Sequence, residues 1–252
     1  MVGCGNDSGT DADKGKSAAA PAKTAEVVIY TNADEEAQTA MKNALDKNGM
    51  KGAYLIQSFG TSELGGKLAA EGKNIEADVV TLSTYYLDSF QKKEKLFADL
   101  QNKAKTIQPS PSYWTPILGN TGALFVNTEV LKQSKLEAPK SIADLAKPEY
   151  AGHISVPDIM GSSTSWLMTQ AVMSAQGEEA GAKTVAAIEK NAGAHLEKSG
   201  SGPLKKLRAG EAAVGFGLRH QAVADKARGL PIDYIDPTEG NFQLQEAAAV
   251  VD

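Results

Sequence analysis

Cysteine is nearly missing from this 252-residue chain: Cys4 stands alone, and only three histidines accompany it. A single thiol cannot close an internal disulfide or build a cysteine zinc site, and the scattered histidines supply no HxxxH pair, so no metal is expected. No run of 18 apolar residues occurs, which excludes a transmembrane helix within the sequence. Neither sign of charge dominates. The 26 basic and 31 acidic side chains leave a net charge of −5, and the basic ones are dispersed, which argues against nucleic acid as a partner. Catalytic signatures are missing as well. There is no Gly-x-Ser-x-Gly elbow and no Walker loop, and Gly60 and Gly65-Gly66 lack dinucleotide spacing. No cofactor is expected. What remains is a chain long enough to bury a substantial core without staples, as one large domain or two small ones.

The position of Cys4 is informative. It sits in a tail of small and polar residues that runs to Pro21, with no hydrophobic periodicity before Val27, so residues 1–25 read as a disordered tether. An aliphatic residue, a small residue, Cys and then a polar linker resemble the end of a bacterial lipoprotein signal, which would make Cys4 the lipidated residue; a free thiol in a tail is the other reading. The basic and apolar portions of such a signal are not part of the sequence.

From Glu26 the patterns become regular. Val27-Val28-Ile29-Tyr30 reads as a strand, and Asn32 with Glu35 has the spacing of a capping box ahead of a helix that ends at Asn48-Gly49. Strands at 53–56 and 77–82 follow, separated by a helix that opens at Gly60-Thr61-Ser62, and another helix spans 85–90. Strand and helix in alternation predict an α/β fold with a largely parallel sheet. Pro109, Pro111 and Pro116 bracket a loop, after which strands are expected at 122–127, 153–157, 212–216, 232–235 and 247–251. Helices are expected after Ser162 and Pro203 and across 177–191, with a short one from Ser141.

Four strand exits place small polar residues at helix N-termini: Asn32 after Thr31, Ser58 with Thr61 and Ser62, Ser162 to Thr164, and Ser199 with Ser201. Free N–H groups and the helix dipole let such ends bind anions without basic side chains, and open α/β sheets hold ligands at the carboxyl ends of their strands. Ordinary capping accounts for each loop singly. One carboxylate of Asp34-Glu35-Glu36 could meet a ligand ammonium, although a favourable interaction with the helix dipole accounts for at least two of the three. Arg219 and His220, at another strand exit, could pair with an anion. Tyr85 and Tyr86 raise the possibility of ferric ligation, against ordinary packing.

The stretches 29–36 (Ile-Tyr-Thr-Asn-Ala-Asp-Glu-Glu), 57–63 (Gln-Ser-Phe-Gly-Thr-Ser-Glu), 148–152, 157–164 and 210–217 resemble the extracellular solute-binding proteins of ABC importers, within the type II group of ferric-iron, thiamine and 2-aminoethylphosphonate binders. The resemblance implies two α/β lobes that close on a small-molecule ligand, a permease as partner, and a monomeric, non-catalytic receptor attached to the membrane only through a lipid. It implies one lobe from 26–116 with 241–252 returning to it, and a second from 117–240, with crossings near 120–122 and 242–248. Members usually continue beyond such a second crossing, so a C-terminal part of the first lobe is expected to be missing. The set of motifs is similar to receptors for 2-aminoethylphosphonate. On that reading Thr61, Ser62, Ser162, Ser163, Thr164 and Arg219 hold the phosphonate, Asn32 lines the facing wall and Asp34 meets the amine. Ser58, Ser83, Thr121, Ser199, Ser201 and His220 complete the candidate lining. Ferric iron, polyamine or thiamine as the ligand, or an enzyme acting on phosphate esters, are the alternatives.

Overall fold

β-branched and aromatic runs flanked by polar caps fold here into strands linked by helices. In the computed structural model, which describes residues 26–101 and 109–252, β1 (Val27–Thr31), α1 (Glu35–Leu45), β2 (Tyr54–Ser58), α2 (Thr61–Glu71), β3 (Val79–Ser83) and α3 (Thr84–Glu94) come first. A 13-residue strand, β4 (Thr115–Asn127), leads to α4 (Thr128–Ser134), β5 (Ile154–Pro157), α5 (Ser163–Gln176), α6 (Glu178–Ala192), β6 (Leu196–Glu197) and α7 (Gly202–Arg208). The chain then forms β7 (Val214–Leu218), α8 (Arg219–Ala227), β8 (Ile232–Ile235) and β9 (Gln243–Val250). Cys4 and the expected tether lie outside the described residues.

The strands run in the order β2-β1-β3-β9-β4-β7-β5-β6, with β8 also on β4. The sheet is mixed rather than largely parallel. Among the described residues four pairings are parallel and four antiparallel, because β4 and β9 run against their neighbours on both sides. The strand β4 pairs with β9 over Thr115 to Thr121 and with β7 from Gly122 onward, so one strand serves two regions of sheet. It also begins earlier than its sequence suggests. Pro116, which cannot donate to a ladder, sits in it beside a bulge between Pro116 and Leu118, a place where proline is tolerated.

Two main cores lie on either side of this crossing. One gathers Leu64 and Leu68 of α2, Leu82, Leu87, Phe90 and Trp114 with Ala247 and Ala249 of β9. Buried Thr61, Leu64, Gly65 and Leu68 recur at the spacing of a single helix face. The other packs Leu167, Met168, Ala171 and Val172 of α5 and Val185 and Ile188 of α6 against Leu124, Val214 and Phe216, with Leu244 of β9 joining from the crossing. A smaller cluster around Phe125, Leu204, Leu207 and Ile232 closes the opposite face of the same sheet region. The start of α5 is fixed by Ser162, whose Oγ accepts the N–H of Thr164 at 3.2 Å.

Helix α1 departs from the expected capping. It starts after Asp34 rather than Asn32 and has no side-chain cap, and Asn32 instead turns its amide to Thr61. None of its residues is buried: Ala37, Ala40, Met41, Ala44 and Leu45 line a cavity together with Val27, Ile29, Val79 and Ala248. Helix α8 was not expected at all. Its buried residues are Gln221, Ala222 and Asp225, while Val223 is exposed, so hydrophobic periodicity gives no trace of it.

The switch of partners on β4 depends on Gly122. A Cβ there would stand 2.4 Å from Phe216 Cζ and 3.3 Å from Leu167 Cβ, both inside the α5 core. Gly122→Ala should therefore destabilise the fold by about 1–3 kcal/mol, the usual cost of overpacking, and lower the midpoint of urea unfolding. An unchanged midpoint would show that the crossing tolerates a wider packing.

Candidate functional site

Strands β1, β2, β5, β6 and β7 deliver their carboxyl ends to one cleft. A cavity of about 1240 Å³ opens there, with polar walls at its mouth and the apolar underside of α1 at one end. This exceeds the roughly 300–1,000 Å³ of common small-molecule pockets, and its lining includes the apolar residues of α1. Asn32, Asp34, Ser58, Thr61 and Ser62 line one side, and Ser162, Ser163, Thr164, Ser199, Ser201 and His220 the other. Three of the expected residues lie elsewhere. Ser83 is buried at the start of α3, Thr121 sits in the β4 ladder opposite Gln243, and Arg219 turns away from the cavity. The Arg219 guanidinium donates to Asp236 at 3.0 and 3.3 Å and lies 4.5 Å over the Tyr234 ring, so it is held in an ion pair and a stack rather than presented to a ligand.

The two walls touch through small hydroxyl groups. Asn32 Nδ2 donates to Thr61 Oγ1 at 3.1 Å, Thr61 donates to Ser163 Oγ at 3.3 Å, and Ser62 Oγ donates to the Met160 carbonyl at 2.6 Å. The first turns of α2 and α5 thus face each other, which sets two helix N-termini at one place. Gly60, ahead of α2, gives its N–H to Glu63 Oε2 at 3.2 Å, so part of that terminus is already satisfied from within. Gly200 closes the same corner. A Cβ on it would lie 2.2 Å from Thr164 Oγ1, so only glycine lets the 199–201 loop pack onto the start of α5. The α7 helix that follows that loop has only seven residues, so the loop contributes hydroxyls and backbone rather than a long dipole.

Charged contacts bridge the cleft on the side of α1. Gln221 Nε2 donates to Asp34 Oδ2 at 3.2 Å, Lys205 approaches Glu35 at 3.4 Å, and Arg208 reaches Glu36 at 3.0 Å. Arg208 is anchored by fully buried Asp225, at 2.6 and 2.8 Å, and Arg228 also contacts that carboxylate. Burial opposes the charge of Asp225, but the two guanidinium groups prevail and hold its carboxyl below the usual range. Asp34 is pushed the other way. Burial raises it, and hydrogen bonds from Ser201 and Gln221, with the charges of His220 and Lys205, offset only part of the rise.

Sequence reasoning missed the floor of the cavity. Asn120 on β4, Glu246 on β9 and Gln221 on α8 all line it. Burial lifts Glu246 to about 7, a rise that the Asp34 charge reinforces and the Asn32 amide opposes. The one trace in the sequence is Glu246 itself, an acidic residue immediately before the apolar run from Ala247 to Val251, and nothing in the sequence marks its partners. Tyr85 and Tyr86 do not join the site. Tyr85 is 76% exposed on α3 and Tyr86 packs on Phe90, and among the described residues no tyrosine lines the cavity.

Residues 74–249, more than half of the chain, match the family described as bacterial extracellular solute-binding protein. The chain belongs to that family. This solute-binding protein is 29% identical over 213 residues to the Fe(3+)-binding periplasmic protein of Serratia marcescens, covering 80% of this chain and 59% of the relative. It is 24% identical over 228 residues to an uncharacterized protein of Haemophilus influenzae, covering 85% of this chain and 64% of the relative. The chain therefore spans about three fifths of the curated relatives it matches. In fold, the solute-binding protein is similar to the periplasmic binding protein AfuA from Actinobacillus pleuropneumoniae, solved with exogenous fructose-6-phosphate bound. The TM-score is 0.75 at 21% identity, over 90% of this chain and 74% of that one. The α/β architecture is thus that of the type II periplasmic binding proteins. Among the described residues no helix is long and apolar enough to cross a membrane, and no group of three or more His, Cys, Asp or Glu could hold a metal ion.

The raised Glu246 sets a pH dependence. Below pH 4.5 the carboxyl is protonated in both folded and unfolded chains, and the fold keeps the full benefit of burying a neutral group. Between 4.5 and about 7 the unfolded chain releases the proton first, so stability of the unliganded protein falls as pH rises, and above about 7 the loss is complete. That window corresponds to roughly 3 kcal/mol at 1.36 kcal/mol per unit. Urea unfolding of wild type and Glu246→Gln across it should show the variant without this component of the decline; parallel curves would place the Glu246 titration elsewhere.

Proposed function

We propose that this chain is the non-catalytic receptor of an ABC importer and captures a small anionic or zwitterionic ligand, with 2-aminoethylphosphonate the best fit. The observation that carries the reading is the meeting of α2 and α5 at their first turns, with Thr61, Ser62, Ser162, Ser163 and Thr164 around one point of the cavity. Hydroxyl and backbone N–H donors at two helix starts suit a phosphonate, and no basic side chain is needed. AfuA supports it as a relative in fold that holds a phosphorylated compound. Ferric iron, polyamine and thiamine are the competing ligands, and the Serratia relative favours the first. The absence of tyrosine from the cavity lining among the described residues counts against an iron site through Tyr85 or Tyr86.

The proposed lobes comprise 26–116 with 241–252 and 117–240. Their hinge is the paired crossing of β4 and β9, where β4 changes partner between Thr121 and Gly122. A ligand that touches both walls only when they meet binds the closed state better, and that difference shifts the population toward closure. Delivery to a permease, a monomeric state and attachment of Cys4 to lipid on the outer face of the cell membrane complete the proposal. The anchor rests on the tail sequence alone.

An uptake receptor of this kind binds at roughly micromolar Kd, about −8 kcal/mol. Replacing Ser162 and Thr164 together by Ala should weaken 2-aminoethylphosphonate at least about tenfold by titration calorimetry, a loss of about 1.4 kcal/mol. Loss of the Ser162 cap should cost only about 1 kcal/mol of stability. Unchanged affinity would remove the anion site from these residues. A thermal-shift comparison of phosphonates, ferric iron, polyamines and thiamine separates the competing ligands, because the bound one raises the midpoint.

A further inference from the structure

Three acceptors in the wall of the cavity have no protein donor among the described residues: Asn120 Oδ1, Gln221 Oε1 and Glu246 Oε2. Asn120 is 7% exposed and Gln221 2%. The orientation of the Gln221 amide is fixed by chemistry. Its Nε2 donates to the Asp34 carboxylate, which leaves the carbonyl oxygen as the unsatisfied end. Asn120 and Glu246 come from the two crossing strands and share a face. Asn120 pairs with Leu244 and Leu118 with Glu246, and side chains two residues apart on a strand point the same way. Asp34, itself a carboxylate, completes a wall in which acceptors outnumber donors.

Buried acceptors without donors are costly, and native folds rarely keep them without use. An anionic group would add repulsion here, whereas a cation bearing N–H groups supplies what each oxygen lacks. Among the described residues Phe59 is the one Phe, Tyr or Trp lining the cavity, so there is no aromatic cage of the kind that receives methylated ammonium groups. We propose that Glu246, with Asp34, Gln221 and Asn120, forms a subsite for the primary ammonium group of the ligand and selects N–H donors over methylated or amine-free analogues. The subsite rests on the phosphonate reading above and supplies its second half. The anion is held where α2 meets α5, and the cation is held where β4 and β9 cross. The raised titration of Glu246 agrees with a carboxylate short of positive charge, since a bound ammonium would restore its ionised form.

The test is titration calorimetry on wild type and Glu246→Gln with three probes: 2-aminoethylphosphonate, ethylphosphonate and the N-trimethyl derivative of the first. Wild type should prefer the primary amine at least about tenfold over the other two, and Glu246→Gln should bring all three within about threefold. Thermal unfolding reports whether the variant is folded. If it is not, Gln221→Leu, which removes one acceptor and keeps both carboxylates, carries the same comparison and should lose part of the preference. Equal binding of the three probes by wild type would overturn the ammonium subsite while leaving the phosphonate reading in place. A preference that survives in the folded variant would also overturn it. Failure of wild type to bind any of the three discards both.

Discussion

Everything in this protein depends on two antiparallel strands that belong to both halves. Strand β4 passes from a ladder with β9 to a ladder with β7, and β9 places Leu244 in one core and Ala247 and Ala249 in the other. A hydrogen-bonded ribbon resists stretching and shear but bends and twists at low cost, since its ladder can be kept while strand twist varies over tens of degrees. Two cores fastened to one ribbon can therefore change their angle without either core being repacked. The cavity lies on that ribbon, with Leu118 and Asn120 of β4 and Glu246 and Ala248 of β9 in its lining, so its walls are carried by the two cores.

The contacts across the cleft are suited to closing without locking. Glu35 is 82% exposed and Lys205 58%, and such an exposed pair contributes about 0–1 kcal/mol. Arg208 with Glu36 is less exposed, and Arg208 gains rigidity from Asp225, yet its partner remains half in water. The hydroxyl contacts among Thr61, Ser62, Ser163 and the Met160 carbonyl are neutral and can be exchanged for water on opening. Against these small gains stand the unmet acceptors Asn120, Gln221 and Glu246. On the proposed closure, the empty closed state would thus have little in its favour, and an occupant that satisfies the acceptors would change the balance.

Much of the fold could be read from the sequence because it follows from local pattern. β-branched runs gave β1, β3 and β8, and Pro203 in the first turn announced α7. The failures share a physical cause: each concerns residues whose burial serves something other than the core. Helix α8 buries Gln221 and Asp225, one for the cleft and one to hold Arg208, so its apolar pattern is inverted. The start of β4 contains Pro116, tolerated only because a bulge follows it. The candidate site divides in the same way. Hydroxyls at helix starts are legible, since caps and anion sites use the same residues. Asn120 and Glu246 are not, because only the register of β4 on β9 brings them to one face. Arg219 was misread for the complementary reason: charge at a strand exit says nothing about direction, and Asp236 and Tyr234 decide it.

That Arg219 faces elsewhere also bears on how the site can work. An arginine or lysine in a closed cleft would be a buried charge whenever the ligand is absent, and such a charge is expensive unless paired. Neutral hydroxyls and helix N–H groups carry no such penalty, so the proposed anion site at Thr61, Ser162 and Thr164 could stand empty between binding events. The acidic floor faces the same difficulty with the opposite sign and meets it differently. Glu246 can take up a proton near neutral pH and become neutral when no cation is present. On the proposed reading the hydroxyl end and Glu246 are thereby arranged to lose their charge, or never to have one, when the ligand leaves, and the lysines that line the cavity, Lys198 and Lys205, are exposed to water. A binding site that must reopen repeatedly is served better by groups that tolerate vacancy than by a fixed ion pair.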